Sequence, residues 1–164
     1  MDDPTFGANP NIALLNPYCV AEWCSVTDDF KKLPKAPRDI YRRQYALNLK
    51  LVKQFDDAAV PMMTGTDNGG WKIPGFVLHE EFDELARASV PPLRILQMTT
   101  LLPARFLRRG SQMGRIAAGM NADLVLLEGN PIQDASYLHR ISAVARAGHF
   151  HSRRDLIRRI AAKP

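Results

Sequence analysis

Asp67, His79, His139 and the pair Cys19 and Cys24 are the side chains whose types could do chemistry, and each has a different setting. Asp67 ends a short apolar run, Val60-Pro61-Met62-Met63-Thr64-Gly65-Thr66, and precedes Asn68-Gly69-Gly70-Trp71-Lys72-Ile73-Pro74-Gly75. A run that short, bounded by Pro and Gly, predicts a buried strand rather than a helix, and the Gly- and Pro-rich stretch predicts a loop over its C-terminal end. Loops at that end carry the chemistry in α/β folds, although an isolated Thr-Asp is more often a carboxylate capping a loop. His79 opens a helical stretch, where a helix N-terminus could meet a polar substrate group; a first-turn histidine without that role is the plainer alternative. The cysteines have no other ligand-type side chain close by in sequence, which supports neither a zinc knuckle nor a disulfide framework. His139 has no ligand-type neighbour at useful spacing.

The elements that must position these groups follow from the spacing of apolar residues. Pro4, Pro10, Pro17, Pro34 and Pro37 predict an irregular segment over residues 1–37. Tyr41, Tyr45, Leu49, Val52 and Phe55 share one helical face, so a helix is expected from about Arg38 to Asp57. A second helix runs from Leu78 through Phe82 and Leu85 to near Ser89, with Glu80 and Glu81 in its first turn. Pro91 and Pro92 open a third, with Leu93, Leu96 and Met98 inward, and Pro103 begins a short turn through Phe106 and Leu107. Beyond Gly110 the pattern is of strands, at Met113–Ala117, Ala122–Leu127 and Ile141–Ala147. Three short strands are too few for a sheet with two covered faces, so they complete one begun elsewhere in sequence or in another chain.

Composition sets the frame. The chain has 164 residues, 46% hydrophobic and 24% charged, which is ordinary for a globular domain but short of the roughly 250 residues of a full (β/α)₈ barrel. No apolar run is long enough for a membrane helix, and the acidic start, Met1-Asp2-Asp3-Pro4, is unlike a secretory signal. A cytoplasmic protein is expected. Residues 140–164 carry Arg140, Arg146, Arg153, Arg154, Arg158, Arg159 and Lys163 against Asp155 alone. Without interleaved aromatics, that basic end reads as a solvated helix over residues 152–164 before it reads as a nucleic-acid or membrane surface.

Four segments in order resemble the C-terminal end of metal-dependent amidohydrolases, the superfamily of imidazolonepropionase-like enzymes and zinc prolidases. They are Val60 to Asp67, Leu78-His79-Glu80-Glu81-Phe82-Asp83-Glu84-Leu85, Thr99-Thr100-Leu101-Leu102-Pro103-Ala104-Arg105, and Gly114-Arg115-Ile116-Ala117-Ala118-Gly119-Met120-Asn121-Ala122-Asp123-Leu124-Val125-Leu126-Leu127. The resemblance covers about residues 38–155. It implies an α/β fold made of the last β/α portion of a (β/α)₈ barrel over 38–109, with strand eight ending at Asp67, and the C-terminal half of a small β-sandwich over 110–151. It also implies that Asp67 is both metal ligand and the base that takes a proton from the attacking water, that His79 is a candidate substrate contact, and that Asp123 and Asn130 hold turns. A divalent metal, zinc by family habit, a small amide or peptide-like substrate and carbon–nitrogen bond hydrolysis belong to the same expectation. His149-Phe150-His151 imitates the family's metal-binding His-x-His but falls after the last expected sandwich strand, so it is read as a decoy.

The departures limit what this chain does alone. The family takes its other ligands from earlier strands that are missing here, and a catalytic zinc needs about three protein ligands, so an incomplete barrel should bind metal poorly and turn over nothing. Ala59 and Ser89 replace glycines at helix ends, and Leu102 replaces the asparagine of Asn-Pro-Ala. The alternative expectation is a non-catalytic remnant or subunit that folds with a partner chain or as a homo-oligomer, because one β/α unit leaves apolar sides uncovered.

Overall fold

A computed structural model describes residues 11–12, 15–67, 72–73 and 75–161, the last two of these without their side chains. Residues 1–10 of the expected irregular segment and most of the Gly-rich stretch after Asp67 lie outside the described residues, as does Lys163.

Residues 17–32 are not irregular: Pro17–Lys32 form helix α1. Pro17 sits at its first position, where a missing N–H costs nothing, and the Asn16 side chain accepts the Cys19 N–H at 2.9 Å. Trp23 and Thr27 are buried, and the Thr27 hydroxyl donates to the Trp23 carbonyl. Leu33 is extended, as a residue before proline must be, and Pro34 then caps α2, Lys35–Asp57. Prolines here mark helix starts, which is why reading them as breakers failed. Along α2, Leu49 and Val52 pack on the core as expected, whereas Tyr41, Tyr45 and Phe55 stay largely exposed.

Helix α3 spans Val77–Arg87, α4 Pro92–Thr99 and α5 Leu101–Phe106. The core is Phe82, Leu85, Ala88, Val90, Ile95, Met98 and Leu138, with Leu49, Val52, Met62 and Leu127 against it. Ile95 replaces Leu93 as the buried residue of α4; Leu93 faces out, as do Phe106 and Leu107. Arg94 Nε donates to Asp56 Oδ1 at 2.9 Å, tying α4 to α2 through a carboxylate whose side chain is only 7% exposed.

Val60–Thr66 forms no helix and belongs to no sheet among the described residues. Its alternation of half-buried Met62, Thr64 and Thr66 with exposed Pro61, Met63 and Gly65 is that of a strand, although it pairs with no strand among the described residues.

The sheet has three antiparallel strands in the order β1 (Leu124–Leu127), β2 (Ile141–Arg146) and β3 (His149–Ser152). Two are those expected. Met113–Ala117 is irregular, because Gly114 has φ 94° and presses on α5, where a Cβ would meet the Thr100 carbonyl at 2.9 Å and the Ala104 Cβ at 2.6 Å. The third strand is instead the one that contains His149-Phe150-His151, joined to β2 by a turn at Ala147 and Gly148, both with positive φ. A 3₁₀ turn at Ala135–His139 leads into β2, and α6, Arg153–Ala161, follows β3, with the Ser152 hydroxyl accepting the Asp155 N–H. Helices and sheet together make a mixed α/β fold.

Candidate functional site

The segment before Asp67 is held near its end by two hydrogen bonds. The Thr64 N–H donates to the Met98 carbonyl at 3.1 Å, at the end of α4. The Glu81 carboxylate of α3 feels the nearby Gly65 N–H. The Thr66 carbonyl accepts the Lys72 ammonium at 2.5 Å. Asp67 comes next, exposed and with φ 40°, a left-handed conformation that aspartate adopts more readily than most residues.

Glu81 is not a dipole-facing residue of the first turn, where Glu80 alone stands. It lies one residue further on and reaches the segment before Asp67. Partial burial raises its pKa, opposed by the Gly65 N–H and the nearby Lys72 ammonium. A half-buried carboxylate with a raised pKa beside a candidate site is a functional signal. Spacing alone could not show it, because the contact crosses from residue 81 to residue 65 through a loop.

His79 lies in the first turn of α3, half-buried, with its ring edge-on to Phe82 at 5.8 Å between centroids. Its other neighbour is His139, at 5.0 Å between ring centroids. The pKa of His79 is lowered by burial and then by His139, with Asp83 pulling the other way. Its Nδ1 is buried and finds no hydrogen-bond partner among the described residues. His139 does have a partner, which local spacing does not reveal: its Nε2 stands 2.8 Å from Asp83 Oδ1, 56 positions away in the sequence. No hydrogen bond or ion pair among the described residues joins His79 to Asp67.

Asp123 and Asn130 hold turns. Asp123 accepts the Arg146 guanidinium and the Ala147 N–H, both at 2.7 Å, and so fixes the β2–β3 turn. Asn130 Oδ1 accepts the Ile132 N–H at 3.0 Å. Both cysteines are free thiols. A cavity of about 590 Å³ opens between α6 and the sheet, lined by Ser142, Ser152, Arg153 and Arg158 among others, and neither Asp67 nor His79 borders it.

Among the described residues, no three His, Cys, Asp or Glu side chains gather where they could hold a metal ion. Asp67 offers one carboxylate where a catalytic metal needs about three protein ligands, so these residues do not by themselves fit one. No described helix is long and apolar enough to cross a membrane.

The described residues define a mixed α/β fold, and sequence comparison gives it a family. The amidohydrolase family profile matches residues 15–151, most of the chain. The chain belongs to the amidohydrolase family. Solved structures agree in fold. A Xaa-Pro dipeptidase with methionine bound in its active site is 24% identical with a TM-score of 0.63, over 82% of this chain and 33% of that one. A protein assigned as a prolidase from Bifidobacterium longum is 28% identical with a TM-score of 0.55, over 61% and 25%. An amidohydrolase is 25% identical with a TM-score of 0.55, over 63% and 25%. The chain thus spans a quarter to a third of the length of these structures. No curated protein matches it.

Proposed function

We propose that this chain is the Asp67-bearing C-terminal part of an amidohydrolase that cleaves carbon–nitrogen bonds in small amide or dipeptide-like substrates. The observation that carries the reading is the family match over residues 15–151; the assignment of the segment ending at Asp67 to strand eight of a barrel comes from the resemblance of the sequence alone. Residues 38–109 are then the last barrel portion and 110–151 half of a small sandwich. The unpaired alternation of residues 60–67 supports this, being that of a strand awaiting neighbours.

Within that reading Asp67 takes a proton from the attacking water and returns it to the leaving nitrogen, work that a carboxylate free on the surface of a fixed segment can do. It is also the one residue here proposed to face a divalent metal, zinc by family habit, in the complete enzyme. His79 remains a candidate for a polar substrate contact, on the strength of its unpartnered Nδ1. The test is an assay of the chain reconstituted with the rest of a barrel against amides, dipeptides, esters and phosphate esters. Turnover confined to carbon–nitrogen bonds, and absent from the chain alone, supports the proposal. Turnover of phosphate esters alone contradicts it.

A second reading, a non-catalytic subunit that folds with a partner or as an oligomer, is favoured by the exposed apolar side chains of α2 and β1, among them Ile40, Leu47, Val125 and Leu126. A compact monomer in size-exclusion chromatography with one sharp thermal transition would count against it.

A further inference from the structure

The 3₁₀ turn Ala135–His139 fastens the sheet to the helices, because it leads into β2 and sets Leu138 into the core with Phe82 and Leu85 of α3. His139, the residue after that anchor, crosses to α3. Its Nε2 stands 2.8 Å from Asp83 Oδ1, and its ring centroid lies 5.0 Å from that of His79, one helical turn before Asp83. His79 in turn sits edge-on to Phe82 at 5.8 Å. Two imidazoles and one carboxylate are thus gathered where the turn meets α3.

The charge of this group depends on how many protons it carries. With both rings neutral the one charge is that of Asp83, and a proton on His139 makes its contact with Asp83 a charge-assisted hydrogen bond. A second proton sets two cationic rings side by side with a single carboxylate to offset them. An imidazolium also carries a donor at Nδ1, and in His79 that atom is buried with no acceptor among the described residues. Burial and then His139 hold the His79 pKa below 6.5, against the pull of Asp83. The other charges of the elements packed on α3 are engaged elsewhere. Glu84 binds Tyr45 of α2 and Arg87, Arg94 of α4 holds Asp56, Lys72 acts on Glu81, and Arg140 lies over the Tyr137 ring at 5.1 Å. Arg87 also attracts Asp83 from one turn further along α3.

We propose that His79, His139 and Asp83 form an acid-released catch between α3 and the 3₁₀ turn, which holds the sheet on the helices near neutral pH and releases it when both rings are charged. It stands apart from the chemistry assigned to Asp67. The sign follows from His79: in the native state it binds its proton less readily than in the unfolded chain, so stability is whole above pH 6.5 and falls as the pH drops below it.

The 164-residue protein itself serves for the test. Its melting temperature should fall by about 2–4 °C between about pH 7 and about pH 5. His79→Phe keeps a ring against Phe82 but cannot charge, and in it that fall should be lost. An NMR titration of the His79 ring reads the coupling directly. His139→Gln keeps an N–H for Asp83 without a ring that charges and should raise the His79 midpoint, whereas Asp83→Asn should lower it. Release is read at the Arg140 amide, which donates to the Tyr137 carbonyl. Corrected for the intrinsic rate, its hydrogen exchange should be about ten-fold faster at the acid end, while Ile95 and Met98 in the core keep their protection. A His79 midpoint that both substitutions leave in place overturns the catch, as does an acid loss of melting temperature that persists in His79→Phe. Arg140 exchange that stays constant while His79 titrates overturns it too, since the rings would then charge without release.

Discussion

Ala59, Ser89 and Arg108 each close a helix in the left-handed region, with φ between 55° and 62°. The closure has the same form at all three. Val60, Val90 and Arg109 donate back to the carbonyls of Phe55, Leu85 and Ala104, while the left-handed residues donate to Asp56, Ala86 and Arg105. This is the Schellman arrangement, in which glycine is favoured because it has no Cβ to crowd the following carbonyl. Ala59→Gly and Ser89→Gly should each stabilise the protein by about 0.5–1 kcal/mol, measured by urea unfolding; a loss of stability would show that the strain argument is wrong. The sequence already marked 59 and 89 as helix ends because both departed from an expected glycine, whereas 108 gave no such sign.

Glu81 is the residue that reading along the chain missed, and its signature is electrostatic. Its folded pKa is raised above the ordinary value of 4.5, first by burial. Between 4.5 and the folded value the native state holds more protons than the unfolded one, so stability falls as pH rises through that window and the cost is then constant. Glu81→Gln should therefore raise the melting temperature at neutral pH, and the gain should vanish below about pH 4. An equal gain at every pH would mean that ionisation is not the cause.

Elements were legible where apolar periodicity was long and hidden where the determinants were tertiary. α2 and α3 could be read from residues three and four apart, and β1 and β2 from their apolar and β-branched runs. α1 is hidden from a reading along the chain because prolines, which break helix interiors, stand here at helix starts. β3 was missed because a His-x-His drew attention to metal chemistry, and its pairing with β2 runs across a two-residue turn that Ala147 enters against its preference. Met113–Ala117 looked like a strand, but Gly114 is fixed by contact with α5, which no local pattern records. Gly114→Ala should consequently cost about 2–4 kcal/mol, from strain at φ 94° together with overpacking against Thr100 and Ala104. Gly119→Ala, at φ 81° with open space around it, should cost about 1–2 kcal/mol through strain alone. Equal costs in a thermal unfolding comparison would show that the contact with α5 does not matter.

At the scale of the whole molecule the lesson is incompleteness of surface rather than of core. Phe82, Leu85, Ile95, Met98 and Leu138 make a dry centre that joins α3, α4 and the 3₁₀ turn. Around it, α2 has no buried residue in 23, and residues 60–67 pair with no strand among the described residues. Family membership accounts for the centre; the quarter to a third of the relatives' length that the chain covers fits the open sides. The candidate carboxylate was legible because a short apolar run ended on it. The contacts of the backbone before it were not, because Met98 and Lys72 bond Thr64 and Thr66 from other parts of the chain. The most direct measurement is the turnover of a carbon–nitrogen substrate by the reconstituted enzyme carrying Asp67→Asn, with circular dichroism as the check on folding. A fall in kcat of about 10²–10⁴-fold with the fold unchanged is the expected result. A kcat within about twofold of the parent, far smaller than the loss of a general base causes, would contradict the assignment of Asp67 to the chemistry.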